Sequence, residues 1–443
     1  MFQTLKNAWK VVELKNKLLF TLLIVVLYRL GANIPVPYVS ADVFESMSTL
    51  MSGTILQYLN IMSGDALSKA TLFALGVSPY ITASIVIQLL TVAFPKLQEW
   101  SKDGENGRKK INFLTRIVTV ALALVTSIGY VYFLEAGGGM TGSSWIVGEL
   151  TFQKGAVIVA CYCAGASIVM WLGEKINEKG IGNGISMILF ANIITSAIGT
   201  FSNLQSTILS DNGNFSWIGL AVAVVVVLVL LGFILLIVAV TDAERRIPVQ
   251  YAKRVVGRKM YGGQSTNLPI KVNMSGVMPI IFANSIVAIP STITTFTGSD
   301  GWFGNFIKNW FSYDTVPYLI VFFALLIAFA YFYVAISFNP IEVANNIKSN
   351  GGSILGIRPG KPTVDFITKI LYRITLVGAL FVAIIAVLPM LAVVVEGFFE
   401  TPSYFAPFAF GGSSLMIVVG VILETVRDLE AQLTLRNYKG FLD

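Results

Sequence analysis

The sequence predicts an all-α integral membrane protein of ten transmembrane helices, and three observations predict it. The 443-residue chain is 55% hydrophobic and only 12% charged, about half the charge of a soluble domain. Ten apolar stretches recur, at 18–36, 73–94, 111–134, 155–172, 181–200, 216–240, 276–296, 317–337, 374–395 and 409–425. Each is near the ~20 residues that carry a helix across ~30 Å of hydrocarbon. Basic residues fill alternate gaps: twenty-six of the 31 Lys and Arg fall in 1–17, 95–110, 173–180, 241–275, 338–373 and 426–443. The opposite gaps hold only Lys69, Lys154 and Lys308. Lys and Arg are retained on the cytoplasmic side, so an even number of spans with a basic start puts both termini in the cytoplasm. The net charge of +7 is a topology signal, not a nucleic-acid signature. What remains outside the spans suffices for loops, so the chain reads as one polytopic domain.

Taken in order, residues 1–17 form a short basic amphipathic stretch that runs into a full-length span with no small-residue cleavage site, so no cleavable signal peptide is expected. Arg29, near the end of the first span, and Arg116, in the third, are expected to snorkel. The external gap 37–72 contains a Gly-punctuated segment, 55–71, too polar to span lipid yet apolar enough to dip into protein. It is either a re-entrant segment, which must be buried in protein or line a cavity, or a helix packed on the external face. Gln88 and Thr91 in span two, Thr126 and Ser127 in span three and Asn284 in span seven supply modest polarity, each suited to an interhelical hydrogen bond of about 1 kcal/mol or less. Cys161 and Cys163 point in different directions on a helix, so neither a disulfide nor a metal site is expected. The cluster Gly180–Gly184 reads as a flexible start to span five.

Two cytoplasmic gaps, 241–275 and 338–373, are long, basic and rich in Gly and Pro, with β-like pieces such as Ile247-Pro248-Val249-Gln250-Tyr251. Loops of that length usually have a task. These could bind anionic lipid, ribosomal RNA or an acidic protein face, or they could simply enforce topology.

Absences narrow the function. The chain has no His, which removes His-dependent metalloproteases, Ser-His dyads and His proton relays. No carboxylate sits mid-span, where ion-coupled transporters hold one, and no Asp pair of an intramembrane protease is present. There is no glycine-lysine phosphate loop. No cofactor or metal is expected. Secondary transport of small solutes remains the competing class.

Several motifs then carry a resemblance. Pro79-Tyr80-Ile81-Thr82-Ala83-Ser84-Ile85-Val86-Ile87-Gln88-Leu89-Leu90 resembles the second transmembrane segment of the SecY/Sec61α family of protein-conducting channels. Gly182-Asn183-Gly184-Ile185-Ser186, Tyr251-Ala252-Lys253-Arg254 with Gln264-Ser265-Thr266 and Lys271-Val272-Asn273, Gly356-Ile357-Arg358-Pro359-Gly360 and Arg436-Asn437-Tyr438-Lys439-Gly440-Phe441-Leu442 complete the set, in order along the whole chain. Residue usage resembles the housekeeping form of a Gram-positive bacterium.

The resemblance implies two inverted halves of five spans around a central hourglass pore: an N-terminal half, 1–200, a C-terminal half, 201–425, and a cytoplasmic tail, 426–443. It implies a waist ringed by Ile81, Ile85, Leu189, Ile193, Ile281 and Ile417. The i, i+4 pairs Ile81/Ile85 and Leu189/Ile193 each face one way on their helix. An apolar constriction dewets when empty and blocks ions. Segment 55–71 matches the family's plug, with Tyr58, Ile61, Met62, Gly64 and Leu67 in its body and Gly64 and Gly76 bracketing a hinge. Asp65 stands where the family often has a second glycine, and a capped local helix is expected there. Spans two, three, seven and eight match the lateral gate, with Gln88, Thr91, Thr126 and Asn284 as its polar residues and Gln88 and Asn284 in contact across it. The long loops imply docking through Arg254, Arg258 and Arg358, whose planar forks suit carboxylates or RNA phosphates. The implied partners are SecE- and SecG-like small subunits, the SecA motor, the ribosome, nascent chains and membrane lipids, in a bacterial plasma membrane. No catalysis of its own is expected.

Overall fold

A computed structural model describes the chain except residues 1, 41–54, 136–143, 209–216, 252–253, 257–258, 262–264, 298–301, 311–314, 399–410 and 440–443. A helix coincides with each of the ten predicted spans: α2 (Val12–Gly31), α4 (Ser78–Ala93), α6 (Gly104–Glu135), α7 (Phe152–Lys179), α8 (Gly184–Ile208), α9 (Trp217–Asp242), α10 (Met278–Thr297), α12 (Val316–Ser337), α14 (Lys361–Phe398) and α15 (Gly411–Lys439). Shorter helices lie between them: α1 (Phe2–Lys10), α3 (Ile55–Ser63), α5 (Pro95–Lys102), α11 (Trp302–Trp310) and α13 (Pro340–Ser349). Among the described residues, four helices are long and apolar enough by themselves to cross a membrane, and a fifth qualifies if α4 and α5 count as one. Those two are bent by 103° at Phe94, ahead of Pro95, a residue pair that resists continuing a helix. Several helices overrun the predicted spans. The 38 residues of α14 extend about 57 Å at 1.5 Å each, so its basic start projects well beyond the hydrocarbon. Helix α15 runs through the predicted boundary at 425 into the tail.

The two ends of the chain lie together. Thr4 Oγ1 donates to Glu430 at 3.0 Å, and Lys17 Nζ donates to Gln432 at 3.2 Å. Ala8, Leu14, Ile181 and Leu429 form a small buried cluster beneath them. Both termini therefore lie on one side of the bundle. The glycines of span five's start are rigidly used: a Cβ at Gly184 would fall 2.0 Å from the Gly173 carbonyl oxygen, so α7 and α8 touch backbone to backbone, as small residues permit in membrane helices.

The two long basic segments are not separate loops. β1 (Glu244–Tyr251) and β4 (Ser265–Lys271) pair antiparallel, with Ile247 opposite Leu268, and β5 (Gly352–Ile354), from the second segment, adds to the other edge of β1 with Val249 opposite Ile354. The strand order is β4-β1-β5. Pro248 is tolerated because β5 pairs only with 249–251, leaving the proline at a position with one neighbour. A two-stranded ribbon, β2 (Arg254–Val256) with β3 (Lys259–Tyr261), extends beyond. The sheet rests on Ile347, Ile367, Leu371 and Val334 in one buried cluster. Helix α13 begins at the Asn339 cap, whose side chain accepts from the Ile341 N–H at 3.2 Å, with Pro340 at the first turn, a favourable start.

Candidate functional site

The six aliphatics named above come from four helices: Ile81 and Ile85 on α4, Leu189 and Ile193 on α8, Ile281 on α10 and Ile417 on α15. All six are buried, and all belong to one contiguous apolar cluster that also contains Tyr58 and Met62 of α3. Ile61 packs against that cluster while half-buried. Burial against protein rather than lipid gains little hydrophobic free energy inside a bilayer, so such a cluster is held by packing.

Segment 55–71 is an inserted element. Helix α3 presents Tyr58 and Met62 inward, and its C-terminal end is fully accounted for. A helix leaves its last four carbonyls unpaired; here each of 60–63 has a donor. Asn60 O accepts from Ser63 Oγ at 2.9 Å and from the Asp65 N–H at 3.0 Å. Ile61 O accepts from the Gly64 N–H at 3.1 Å. Met62 O accepts from Asn192 Nδ2 at 2.7 Å, and Ser63 O from the Tyr28 hydroxyl at 3.4 Å. Asn192 also donates to Tyr28 Oη at 2.9 Å. Gly64 O accepts from Arg29 Nη1 at 3.2 Å, and Arg29 Nη2 reaches the Ala191 carbonyl at 3.3 Å. Farther on, the Tyr130 and Tyr162 hydroxyls donate to the Leu67 and Ala70 carbonyls at 2.6 and 3.3 Å. Five side chains from four spans thus grip one short stretch of backbone, and the guanidinium lies at the negative end of the α3 dipole.

Gly64 and Gly76 both have positive φ, +66° and +54°, a backbone conformation that favours glycine. Asp65 does not cap a helix. It follows α3 in the left-handed region, φ +66°, and its carboxylate accepts from Asn60 Nδ2 at 3.1 Å and Ser196 Oγ at 3.2 Å. Burial raises its pKa, opposed by the Ser196 hydrogen bond and by the charges of Lys69 and Arg29. Neither arginine in the spans snorkels freely. Arg29 is committed to the plug segment, and Arg116 forms a two-point pair with Glu174 at 2.8 and 2.7 Å. Each guanidinium instead has protein partners within hydrogen-bond distance.

The proposed gate residues lie on adjacent helices, but their hydrogen bonds stay local. Gln88 Nε2 donates to Ser84 at 3.4 Å, Thr91 Oγ1 to Gln88 O at 2.7 Å and Thr126 Oγ1 to Leu122 O at 2.8 Å. Asn284 is completely buried, and its amide makes no bond of good geometry; its electrostatic neighbour is the Tyr58 hydroxyl of the plug segment. An apolar cavity of about 370 Å³ lies where α3, α4, α6 and α10 meet, lined among others by Met62, Leu67, Thr82, Thr126, Tyr130 and Ile281.

Of the docking arginines, Arg358 is exposed between Gly356 and Gly360, both at positive φ, and its carbonyl accepts from Thr363 Oγ1 at 2.9 Å. Arg254 opens β2 opposite Tyr261. Arg258 lies outside the described residues. The residues that sequence reasoning missed are Tyr28, Tyr130, Tyr162, Asn192 and Ser196. Asn192, an amide in the apolar middle of span five, was the available signal.

A bundle of apolar helices that clasps an inserted plug-like segment over a shared apolar cluster has the fold of a protein-conducting channel. The solved structure of such a channel superposes with a TM-score of 0.64 at 18% identity, covering 94% of this chain and 92% of that one. Sec61 in the canine ribosome–channel complex from the endoplasmic reticulum gives 0.60 at 17% identity, with the same coverage. The SecY family model matches residues 71–426. The protein translocase subunit SecY of Streptomyces coelicolor is 44% identical over 450 residues, and that of Bacillus subtilis 40% over 444, each alignment covering all of both chains. The chain belongs to the SecY family.

Proposed function

We propose that this chain is the channel subunit of a protein translocase, conducting unfolded secretory polypeptide across a bacterial plasma membrane and releasing apolar segments sideways into lipid. The observation that carries the reading is the meeting of Ile81, Ile85, Leu189, Ile193, Ile281 and Ile417, from four helices, in one buried cluster with Tyr58 and Met62. Packing alone holds such a ring closed within a bilayer, so flexible aliphatic side chains can part for a polypeptide and close behind it. The plug, 55–71, seals the ring from outside and is held by its backbone carbonyls. Spans two, three, seven and eight form the lateral gate, and the cavity between α3, α4, α6 and α10 is where an apolar segment first finds room.

The channel is passive and has no catalysis of its own. Energy comes from the SecA motor or the ribosome, docked on the β4-β1-β5 platform through Arg358, Arg254 and Arg258, and SecE- and SecG-like subunits complete the complex. The two halves are 1–200 and 201–425, and both termini, with the tail 426–443, face the cytoplasm. The test is crosslinking of a stalled secretory nascent chain to Cys placed at Ile85 or at Ile281. Adducts at both sites are expected; adducts at neither would favour a solute transporter of similar architecture.

A further inference from the structure

Helix α11 has a feature that the translocation reading does not use. It lies between spans seven and eight, in a gap on the side opposite the basic segments, and is therefore external. Trp302, Phe306 and Trp310 recur every four residues. Their rings stack in a row, with centroids 6.0 and 5.9 Å apart and 22° between planes in each pair. The row faces outward: Trp302 is 83% exposed, Phe306 41% and Trp310 51%, whereas Ile307 is 4% exposed and Gly304 is buried.

At 100° per residue the helix divides into three arcs. The aromatic row occupies one. Positions 304 and 307 fall on the second, against the bundle. Positions 305, 308 and 309, which carry Asn, Lys and Asn, fall on the third. A water-facing surface helix needs two arcs, polar and packed; a stacked row of three large aromatics has no such use. Trp combines an apolar body with a polar N–H, which suits it to the headgroup level of a bilayer. The row is also continuous along the chain with exposed apolar surface on both sides. Ile289 and Ile293, at the edge of the apolar cavity, are exposed on the later turns of α10, and Val316 and Ile320 on the first turns of α12. Only a few residues separate α11 from either span, a reach of at most about 3.5 Å each.

We infer that α11 is an interfacial anchor, lying in the plane of the outer leaflet with Trp302, Phe306 and Trp310 inserted at the headgroup–acyl boundary. It holds the external end of α10 at a fixed depth. The inference uses the membrane reading of the flanking spans but not the translocase reading.

The test uses the full-length chain carrying Cys161→Ser and Cys163→Ser, reconstituted in phosphatidylcholine–phosphatidylglycerol vesicles. A nitroxide is attached through Trp302→Cys, Phe306→Cys or Trp310→Cys, with Lys308→Cys and Ile320→Cys as references. The expected ratio of oxygen to aqueous nickel-chelate accessibility is several-fold higher at 302, 306 and 310 than at 308, at a depth shallower than 320. Aqueous values at the three aromatic positions with a lipid value at 320 overturn the inference and leave the membrane reading intact. Spin–spin broadening between labels at 302, or protection from both relaxants, points to a second copy or another protein on this face and also overturns it. As a label-free check, brominated lipids should quench the native Trp fluorescence less in a Trp302→Ala, Trp310→Ala variant; equal quenching counts against the anchor.

Discussion

Arg29 reaches the Gly64 carbonyl at 3.2 Å through space that any side chain at position 64 would fill. A Cβ there would lie 2.6 Å from Arg29 Nη1 and 2.7 Å from Asn192 Oδ1. The glycine is required twice, for its positive φ and for the approach of its two clamps.

Gly64→Ala should therefore loosen the seated plug. A non-Gly residue in the left-handed region costs about 1–2 kcal/mol, before Arg29 and Asn192 are displaced. Since 1.4 kcal/mol is about tenfold, the unseated fraction should rise by about tenfold or more. Ion conductance of the reconstituted resting channel reads this directly. Asn192→Leu, which leaves the Met62 carbonyl without its donor, should leak in the same direction. An unchanged leak in both variants refutes the clamp.

The plug seat should depend on pH through Asp65. Burial raises the pKa of this carboxyl above the ordinary 3.8, so the seated state holds the proton more tightly than the released state does. The seat is then strongest at low pH, weakens as pH rises from the ordinary value toward the raised one, and carries the full penalty above it. Asp65→Asn keeps an acceptor for Ser196, suits the left-handed backbone and removes the penalty. Leak through the wild-type channel should increase as pH rises above the ordinary carboxylate value, and the Asn variant should be flat and tighter over the same range. Parallel profiles would exclude Asp65 as the titrating group.

Asn284→Leu should make the gate harder to open. Its amide is buried beside the Tyr58 hydroxyl with no more than a weak bond to it, and a poorly bonded buried amide costs up to about 1–3 kcal/mol. Leucine of similar size removes that cost from the closed state. Export of substrates with weakly apolar signals should fall most, measured as the fraction processed at early times. Gln88→Leu should do less, because Gln88 bonds within its own helix. Equal acceptance of strong and weak signals by the Asn284 variant would argue against the gate assignment.

Arg358→Glu should abolish motor-driven export while leaving the chain inserted and folded. The side chain is exposed on a loop bracketed by two positive-φ glycines, so charge reversal there breaks no internal contact. Vesicle translocation assays with protease protection test it, and normal export would reject the docking role.

The ten helices were legible because a bilayer imposes length and polarity on each. The six aliphatics were singled out by motif resemblance, and only the packing of four helices brings them into one cluster. The clamp was not legible. Arg29 at a span end suggests snorkelling, and nothing local tells it that the Gly64 carbonyl waits 35 residues on. Tyr28, Asn192, Tyr130 and Tyr162 bind backbone carbonyls, which carry no residue signature in a sequence. The joined sheet was hidden for a related reason: β5 is three residues long, too short for alternation to announce it, and its partner strand lies about a hundred positions earlier.

That joint has a mechanical consequence. Because the strand after α13 is the third rail of a platform begun after α9, the two basic protrusions form one lever, not two independent fingers. The lever is seated on Val334 near the C-terminal end of α12 and on Ile367 and Leu371 of α14. A force applied at the Arg358 tip would therefore bear on α12 and α14 together rather than on one loop alone.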